Sequence, residues 1–169
     1  MDSDIIIRES AVADDATVGE LLVRAYTEQY ARKLPEAKPS AARNEDLRNQ
    51  AEKRATGAVL VAEHERRIVG TVALFPWSGP RSESWIPGAA NLRYFAVDAA
   101  FRGRGLSGRL LDAAEERARA SGATAICLHV RQGAEGVARL YLARGYRRDA
   151  AEDLDHRPEV FLEAYALTL

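Results

Sequence analysis

The sequence holds little cysteine and little histidine. Cys127 is the single cysteine among 169 residues, so an intramolecular disulfide is excluded. The three histidines, His64, His129 and His156, lie far apart and lack the spacing of metal ligands. We therefore expect neither a disulfide framework nor a bound metal.

The chain also lacks an excess of charge and a long apolar run. Its 24 Lys and Arg residues oppose 25 Asp and Glu residues, which gives a net charge of -1 and a pI near 6.3. Such a balance argues against nucleic-acid or anionic-membrane partners. The opening "MDSDIIIRES" has no basic start, and no segment reaches the ~18 apolar residues of a membrane span. The sequence predicts a soluble cytoplasmic protein with one domain over residues 1–169.

The first half of the chain predicts strands and helices separated by a polar loop. Apolar spacing and prolines are the signals used. The predicted elements are a strand at 5–7, a helix around 18–25, a loop at 27–40 with Pro35 and Pro39, a charged helix at 41–55, and a hairpin of strands 59–63 and 68–75 joined by a tight turn at Glu65 and Arg66.

The second half alternates strands with helices. This alternation implies at least one parallel strand pair with a crossover, on a mixed sheet that also contains the hairpin. The predicted elements are a long connection at 78–90, a strand at 90–97, a helix at 107–120, a strand at 124–130, a helix at 135–144 and a final strand at 159–169.

The stretch "AFRGRGLSGRLL" concentrates three glycines and three arginines at the start of the helix at 107–120. Its "GRGLSG" satisfies both the dinucleotide and the NTPase glycine spacings. The NTPase loop needs Lys and then Ser or Thr after the last glycine, but Arg109 and Leu110 stand there. The dinucleotide loop directly follows its strand, whereas "DAAFR" intervenes here, and the required acidic residue is missing from "LHVRQ". The dinucleotide reading is therefore the weaker, though still open, alternative.

An acyl-CoA is the third ligand class that this loop would suit. The pyrophosphate would sit on the unpaired amides of Gly103 to Gly108, where the helix dipole favours an anion. Arg102, Arg104 and Arg109 would supply positive charge. From the loop alone, a glycine-rich turn with solvated arginines is an equally good interpretation.

The run from Leu92 to Tyr146 closely resembles the GNAT superfamily of acyl-CoA-dependent N-acyltransferases. It covers about a third of the chain, with two motifs in the family's order and spacing. Three positions depart from the family pattern: Ser107 replaces the usual Gly or Ala, Ala99 a common proline, and Ala134 a frequent asparagine. The matching positions are Arg102, Gly105 and Ser107 in the first motif and Leu140, Tyr141, Gly145 and Tyr146 in the second.

The resemblance implies an α/β (α+β) GNAT fold. This is a mixed, mostly antiparallel sheet of about six to seven strands, with a central parallel splayed pair and about four flanking helices. The pantetheine arm of acetyl-CoA would lie in the gap between the strands at 90–97 and 124–130 and pair with the backbone of Phe95 and Val97. An amide near Phe95 or Ala96, turned by a bulge, would polarise the thioester carbonyl. The implied cofactor-binding residues are Phe95, Ala96, Val97, Arg102, Gly103, Arg104, Gly105, Leu106, Ser107 and Gly108.

Acyl transfer to an amine needs a neutral nitrogen and a proton for the departing thiolate. The resemblance places Tyr141 beside the sulfur as the acid. By spacing alone, Val137, Leu140 and Tyr141 form an apolar helix face, which is typical of a core tyrosine. The motif favours the catalytic role.

The general base is left open. His129 on its strand, Glu83 in the long connection and Glu63 at a strand end are candidates, and each also fits a purely structural or solvated role. Cys127 lies among apolar residues and fits core packing better than an acyl-enzyme. We therefore favour direct attack by the amine in a ternary complex.

The sequence thus predicts an acetyl-CoA-dependent N-acetyltransferase that acts on a small-molecule or peptide amine. The acceptor is expected near residues 26–39 and 77–87. A non-catalytic acyl-CoA sensor and a dinucleotide-dependent oxidoreductase are the alternatives. The sequence is compatible with a monomer or a homodimer.

Overall fold

The computed structural model describes residues 4–33 and 39–169. Within them, eight strands form one sheet in the order β1-β2-β3-β4-β5-β8-β6, with β7 added beside β8. All neighbouring strands are antiparallel except β4 and β5. The strands are β1 Ile5–Glu9, β2 Ala58–His64, β3 Arg67–Phe75, β4 Ala90–Val97, β5 Ala125–Arg131, β6 Arg147–Arg148, β7 Leu154–His156 and β8 Val160–Thr168.

Helices cover both faces of this sheet. Leu110, Leu111, Ala114 and Ala118 of α4 are buried against one face, together with Tyr141 of α5. Val18 and Leu22 of α1 and Leu47 of α2 pack on the opposite face. The helices of the described residues are α1 Asp15–Lys33, α2 Ala41–Arg48, α3 Gln50–Thr56, α4 Leu106–Ala120 and α5 Glu135–Ala143. Within residues 4–33 and 39–169, no helix is both long and apolar enough to cross a membrane.

The predicted hairpin and the predicted mixed sheet with a splayed parallel pair are confirmed. β2 and β3 are joined by Glu65 and Arg66, whose φ values of 48° and 64° give the twist of a two-residue hairpin turn. β4 and β5 pair only where they begin, with Ala90 opposite Ile126 and Asn91 opposite Cys127. Beyond these pairs the two strands diverge and open a gap in the sheet.

The predicted loop at 27–40 is wrong for its first half. α1 continues to Lys33. Residues 27–33 contain neither Gly nor Pro. Because a proline disfavours helical geometry only at the residue before it and blocks the helix beyond it, Pro35 does not prevent a helix at 27–33. Pro35 lies outside the described residues. The correction matters because this last part of α1 carries side chains of the candidate site.

The single charged helix predicted at 41–55 is interrupted. Asn49 leaves helical geometry, with φ -77° and ψ 74°, and its side chain accepts a hydrogen bond from the Glu52 amide. Asparagine favours such caps because its short side chain competes for backbone amides. Two short strands, β6 and β7, were also missed and raise the strand count above the predicted six to seven.

Candidate active site in the split sheet

Two adjoining cavities lie beside the part of β4 that diverges from β5: the smaller lies between β4 and β5, and the larger lies between β4, α1, α5 and the start of α4. The larger cavity measures about 490 Å³ and the smaller about 200 Å³. Tyr26, Gln29, Phe95 and Val137 line both. The two spaces therefore meet at these residues, where the bent part of β4 faces α1 and α5.

The glycine loop lies beside the larger cavity, with Ser107 in the cavity wall. Gly103 and Gly105 adopt φ values of 74° and 77°, and a Cβ added at either would meet no atom within 4 Å. Among the described residues, no oxygen accepts from the amides of residues 103–108, since the first helical bond of α4 runs from Arg109 to Gly105. The loop thus offers a row of accessible N–H groups at a helix N-terminus, a geometry that binds anions.

The three arginines of this loop have different surroundings. Arg102 lines the larger cavity and pairs with Glu28 at 3.4 Å. Arg104 stacks over the ring of Phe101 at 5.2 Å. Arg109 donates to the Ile5 carbonyl at 2.7 Å, so its guanidinium joins α4 to β1. Arg102 is therefore the loop arginine best placed for a ligand in the cavity.

α1 presents three residues of the region at 26–39, where the acceptor was expected, but on a helix rather than in a loop. Tyr26, Gln29 and Arg32 line the larger cavity at three-residue intervals, which is the spacing of one helix face. The mistaken loop at 27–40 hid this face. A helical reading of residues 27–33 would have revealed it.

β4 carries a bulge inside the cavity wall. Ala96 pairs with Thr71 and Arg93 with Ala73, so β4 has one more residue than β3 between these pairs. Tyr94, within the bulge, has a φ of 54°, which is unfavourable for an aromatic L-residue. The expected bulge next to Phe95 is thus present, and Phe95, Ala96 and Val97 line the larger cavity.

A polar network holds Tyr94 in this conformation. Its hydroxyl accepts from Arg81 at 2.8 Å and donates to Asp46 at 3.1 Å. The ring lies 4.5 Å from the Lys53 ammonium and 4.9 Å from the Arg93 guanidinium. No local pattern in the sequence indicates this network, because its members come from α2, α3, β4 and the long connection.

The electrostatics of this network follow from burial and charge. Burial raises the pKa of Tyr94 and lowers the pKa of Lys53 to about 8. Burial opposes ionisation of Asp46, yet Arg81 and Lys53 outweigh it and lower the pKa of that carboxyl. Asp46 therefore stays charged and keeps its bonds to Arg81 and Tyr94 at neutral pH.

Tyr141 lies at the junction of α5 with the smaller cavity. Its side chain is buried, lines that cavity, and packs against Phe95 and Tyr146 at ring distances of 6.5 Å and 5.2 Å. Burial, and then the nearby Tyr26, raises its pKa, so the phenol keeps its proton at neutral pH. Its hydroxyl makes no hydrogen bond within the described part of the chain, which leaves the O–H available to a ligand.

His129 and Glu83 also line the smaller cavity, where Glu83 Oε1 lies 3.3 Å from the Arg93 guanidinium. His129 Nε2 lies 3.0 Å from the Glu152 carbonyl oxygen, which can only accept, so Nε2 carries the ring proton. Nδ1 is then an acceptor, it has no hydrogen-bond partner, and Glu83 Oε2 lies 3.9 Å away. Trp85 packs on the imidazole at 5.2 Å.

Other sequence candidates lie away from this centre. Glu63 pairs with Arg8 at 2.8 Å and lines neither cavity. Cys127 is fully buried in the core, which fits its predicted packing role. Of the two regions expected to bind the acceptor, the first contributes Tyr26 and Gln29 to the smaller cavity and the second contributes Glu83. Residues 34–38 of the first region lie outside the described residues.

A family model for "Acetyltransferase (GNAT) family" matches residues 17–146 of the chain. The chain belongs to the GNAT family of acetyltransferases. The match extends well beyond the two motifs and includes α1, the bulged β4, the glycine loop and α5. No curated protein matches the chain significantly.

Solved GNAT structures share the fold along the whole chain. An acetyltransferase from Streptococcus agalactiae has a TM-score of 0.76 and 19% identity, with 99% of each chain covered. The acetyltransferase yncA from Salmonella typhimurium, solved with its cofactor acetyl-CoA, has a TM-score of 0.72 and 20% identity, with 99% of this chain and 95% of that one covered. A GNAT acetyltransferase from Elizabethkingia anophelis, with acetyl-CoA bound, has a TM-score of 0.68 and 16% identity, with 99% of each chain covered.

Proposed function

We propose that this GNAT protein transfers an acetyl group from acetyl-CoA to a primary amine of a small molecule or peptide. The single observation that carries the proposal is the pair of adjoining cavities, which leads from the glycine loop, past the bulge of β4, to the Tyr141 hydroxyl. The two GNAT structures solved with acetyl-CoA support this choice of cosubstrate. The proposal treats residues 1–169 as one cytoplasmic domain that acts as a monomer or a homodimer.

The residues of the larger cavity suit coenzyme A. The amides of Gly103 to Gly108 would hold the pyrophosphate, with Arg102 and Arg104 adding positive charge. Glycine at 103 and 105 leaves the approach open. The backbone of Phe95 and Val97, which β5 leaves without a partner, would pair with the pantetheine arm as a strand would.

The bulge of β4 would supply the hydrogen-bond donor that polarises the thioester carbonyl. Tyr94 and Phe95 fall outside the β3 pairing, whereas Ala96 pairs with Thr71. Of the two expected amides, that of Phe95 is therefore free of the regular ladder and would donate to the thioester oxygen as negative charge develops. The network around Tyr94 fixes this amide before substrate binds. Such preorganisation is the main source of electrostatic stabilisation in enzymes.

Proton transfers would involve two residues that line the smaller cavity, Tyr141 and His129. The neutral amine forms a bond to the acetyl carbon while the carbon–sulfur bond breaks, and Tyr141 donates its proton to the leaving sulfur. The proton lost by the amine passes to His129 Nδ1, which already has an acceptor lone pair, and from there toward the exposed carboxylate of Glu83. Direct attack requires no acyl-enzyme, in keeping with the buried Cys127.

The test measures thiol release from acetyl-CoA across a panel of amines, for the wild type and for Tyr141→Phe. Loss of the acid should lower kcat about 100-fold, the usual scale of general acid catalysis, while the Kd for acetyl-CoA stays the same. Tyr165→Phe is the matched control, because it removes a hydroxyl from a buried tyrosine of β8 that lines neither cavity.

Two results would contradict the proposal. Binding of acetyl-CoA without thiol release on any amine would identify a sensor rather than an enzyme. Affinity for NADPH without affinity for acetyl-CoA, measured by calorimetry, would restore the dinucleotide alternative.

A further inference from the structure

A buried asparagine lies where β4 and β5 separate. We infer that Asn91 is a positioning residue, which holds Glu83 beside His129 and so keeps the proton acceptor of the smaller cavity next to its carboxylate. This inference rests on the proposed function and adds a residue to the proton path of the same site.

Asn91 belongs to the last residue pair between the two parallel strands. It lies opposite Cys127, is only 1% exposed and lines the smaller cavity. A buried side-chain amide needs partners for its donor and its acceptor, because an unmade hydrogen bond costs the desolvation of the group. The partners of Asn91 therefore show what this position requires.

The two ends of the Asn91 side-chain amide bond to different segments. Its Nδ2 donates to the Cys127 carbonyl at 3.1 Å, and its Oδ1 accepts from the Glu83 amide at 3.0 Å. A carbonyl can only accept and a backbone N–H can only donate, so a flipped side chain would satisfy neither partner. Asn91 thus joins β5 to the connection between β3 and β4 that carries Glu83.

Glu83 has a further attachment to β4, through Arg93. The Arg93 guanidinium lies 3.3 Å from Glu83 Oε1 and donates to the Arg81 carbonyl at 2.8 Å. Asn91 and Arg93 are two residues apart in the regular part of β4, which puts both side chains on one face of the strand. Together they fix the connection at Arg81 and at Glu83, and Glu83 Oε2 then lies 3.9 Å from His129 Nδ1.

The position of this carboxylate matters once His129 holds a proton. The distance of 3.9 Å to Nδ1 is longer than a hydrogen bond, so charge rather than a bond links the two groups. When Nδ1 takes the proton lost by the amine, the imidazolium and the carboxylate attract each other in a partly buried site. If Glu83 moved away, this attraction would weaken and His129 would accept the proton less effectively.

Other hydrogen bonds hold the later part of the connection. Thr124, just before β5, donates through its hydroxyl to the Pro87 carbonyl at 3.1 Å and through its N–H to the Gly88 carbonyl at 3.2 Å. Loss of the Asn91 side chain should therefore release the connection at Glu83 while the end next to β4 stays attached.

The experiment is a double-mutant cycle between Asn91→Ala and Glu83→Gln, with thiol release measured on the best amine of the panel. Each single change should lower kcat about tenfold, part of the ~100-fold or more that acid–base catalysis contributes. The KM for acetyl-CoA should change less than about twofold. Because Asn91 acts through Glu83, adding Asn91→Ala to Glu83→Gln should lower kcat less than about threefold further.

Thr124→Val is the matched control, because it removes a hydroxyl that bonds to the same connection and lines neither cavity. It should leave kcat within about twofold of its starting value in either background. Equal losses from Asn91→Ala in the two Glu83 backgrounds would indicate a purely structural role. That result, or an unchanged kcat in either single variant, would overturn the inference while leaving the acetyltransferase proposal standing.

If no amine releases thiol, the proposed function fails, and NMR of the imidazole rings decides the inference. The His129 ring signals should shift in Asn91→Ala and in Glu83→Gln, but hardly further in the double variant. Equal shifts from Asn91→Ala in both Glu83 backgrounds, or no shift, would overturn it.

If Asn91→Ala does not fold, hydrogen exchange in the wild type decides. The Glu83 amide should exchange at least about tenfold more slowly than the exposed amides of the turn at Glu65 and Arg66, because it donates to a buried side chain. Equal exchange would show that Asn91 does not hold Glu83.

Discussion

The unusual backbone of Tyr94 is explained by its side chain. A φ of 54° costs a non-glycine residue about 1–3 kcal/mol and persists only where the surroundings enforce it. Here the hydroxyl is held between Arg81 and Asp46, and the ring is enclosed by cationic groups. The residue links α2 and α3 to the bulge that we assign to the thioester oxygen, so it is a positioning residue rather than a catalytic one.

Tyr94→Phe should therefore separate positioning from binding. Removing the hydroxyl leaves Asp46 with one donor fewer and should cost about 1–2 kcal/mol of unfolding free energy, measured by urea denaturation. The kcat should fall about tenfold, because the amide of Phe95, next to Tyr94 in the bulge, loses its fixed orientation, while the Kd for acetyl-CoA changes less than about twofold. A loss of stability with unchanged kcat would show that the network only supports the fold.

At the scale of elements, the packing of α4 determines the position of the glycine loop that we assign to the pyrophosphate. Leu110, Leu111, Ala114 and Ala118 bury one helix face under the sheet, which fixes where the helix begins. Its N-terminal amides then point out of the loop at residues 103–108. The same helix is closed by Gly122, whose φ of 83° matches that of the loop glycines.

Gly105→Ala and Gly122→Ala form a matched pair on this helix. Both residues have a positive φ and open space where a Cβ would stand, so each change should cost about 1 kcal/mol of unfolding free energy from backbone strain alone. Only Gly105→Ala should also weaken acetyl-CoA, by about tenfold in Kd, because its methyl group obstructs the amides. Equal Kd values for the two variants, by calorimetry, would exclude the loop as the pyrophosphate site.

At the scale of the whole molecule, the sheet consists of two parts joined by a short parallel contact. β1 to β4 form one part, and β5 with β6, β7 and β8 forms the other. Two residue pairs connect β4 to β5 before the strands diverge. A ligand seated in the gap would contact both parts and extend this narrow connection.

Binding of acetyl-CoA should therefore stabilise the residues beside the gap more than the rest of the molecule. At a concentration of acetyl-CoA about 100 times its Kd, the unfolding free energy should rise by about 2.7 kcal/mol. Hydrogen exchange should slow for the amides of residues 95–97 and 103–108, and stay unchanged for Ala58 and Val59 of β2, which pair with the end of β3 that lies away from Gly70 and Val97. Uniform slowing across all strands would contradict binding within the gap.

Much of the fold could be predicted from the sequence, since its signals are local. The strand at 90–97, the hairpin turn and the helix that follows the glycines depend on alternation, helical spacing and turn residues. The GNAT motifs added the order of these parts. The predictions were wrong where a local signal pointed to another structure. Pro35 indicated a loop at the residues before it, and Asn49 was assigned to a continuous helix. The charged residues around Leu154–His156 showed no strand pattern, so β7 was missed.

The candidate site also has some parts that the sequence predicts and others that it does not. The sequence by itself determined the glycine loop, the strand that carries Phe95 and the position of Tyr141 on its helix, because each is a pattern of near neighbours. Only the tertiary structure decided that His129 lies beside Glu83, that Tyr94 bonds to Arg81 and Asp46, and that arginines gather around the smaller cavity. These contacts join residues far apart in the chain, and packing of whole helices and strands brings them within a few ångströms.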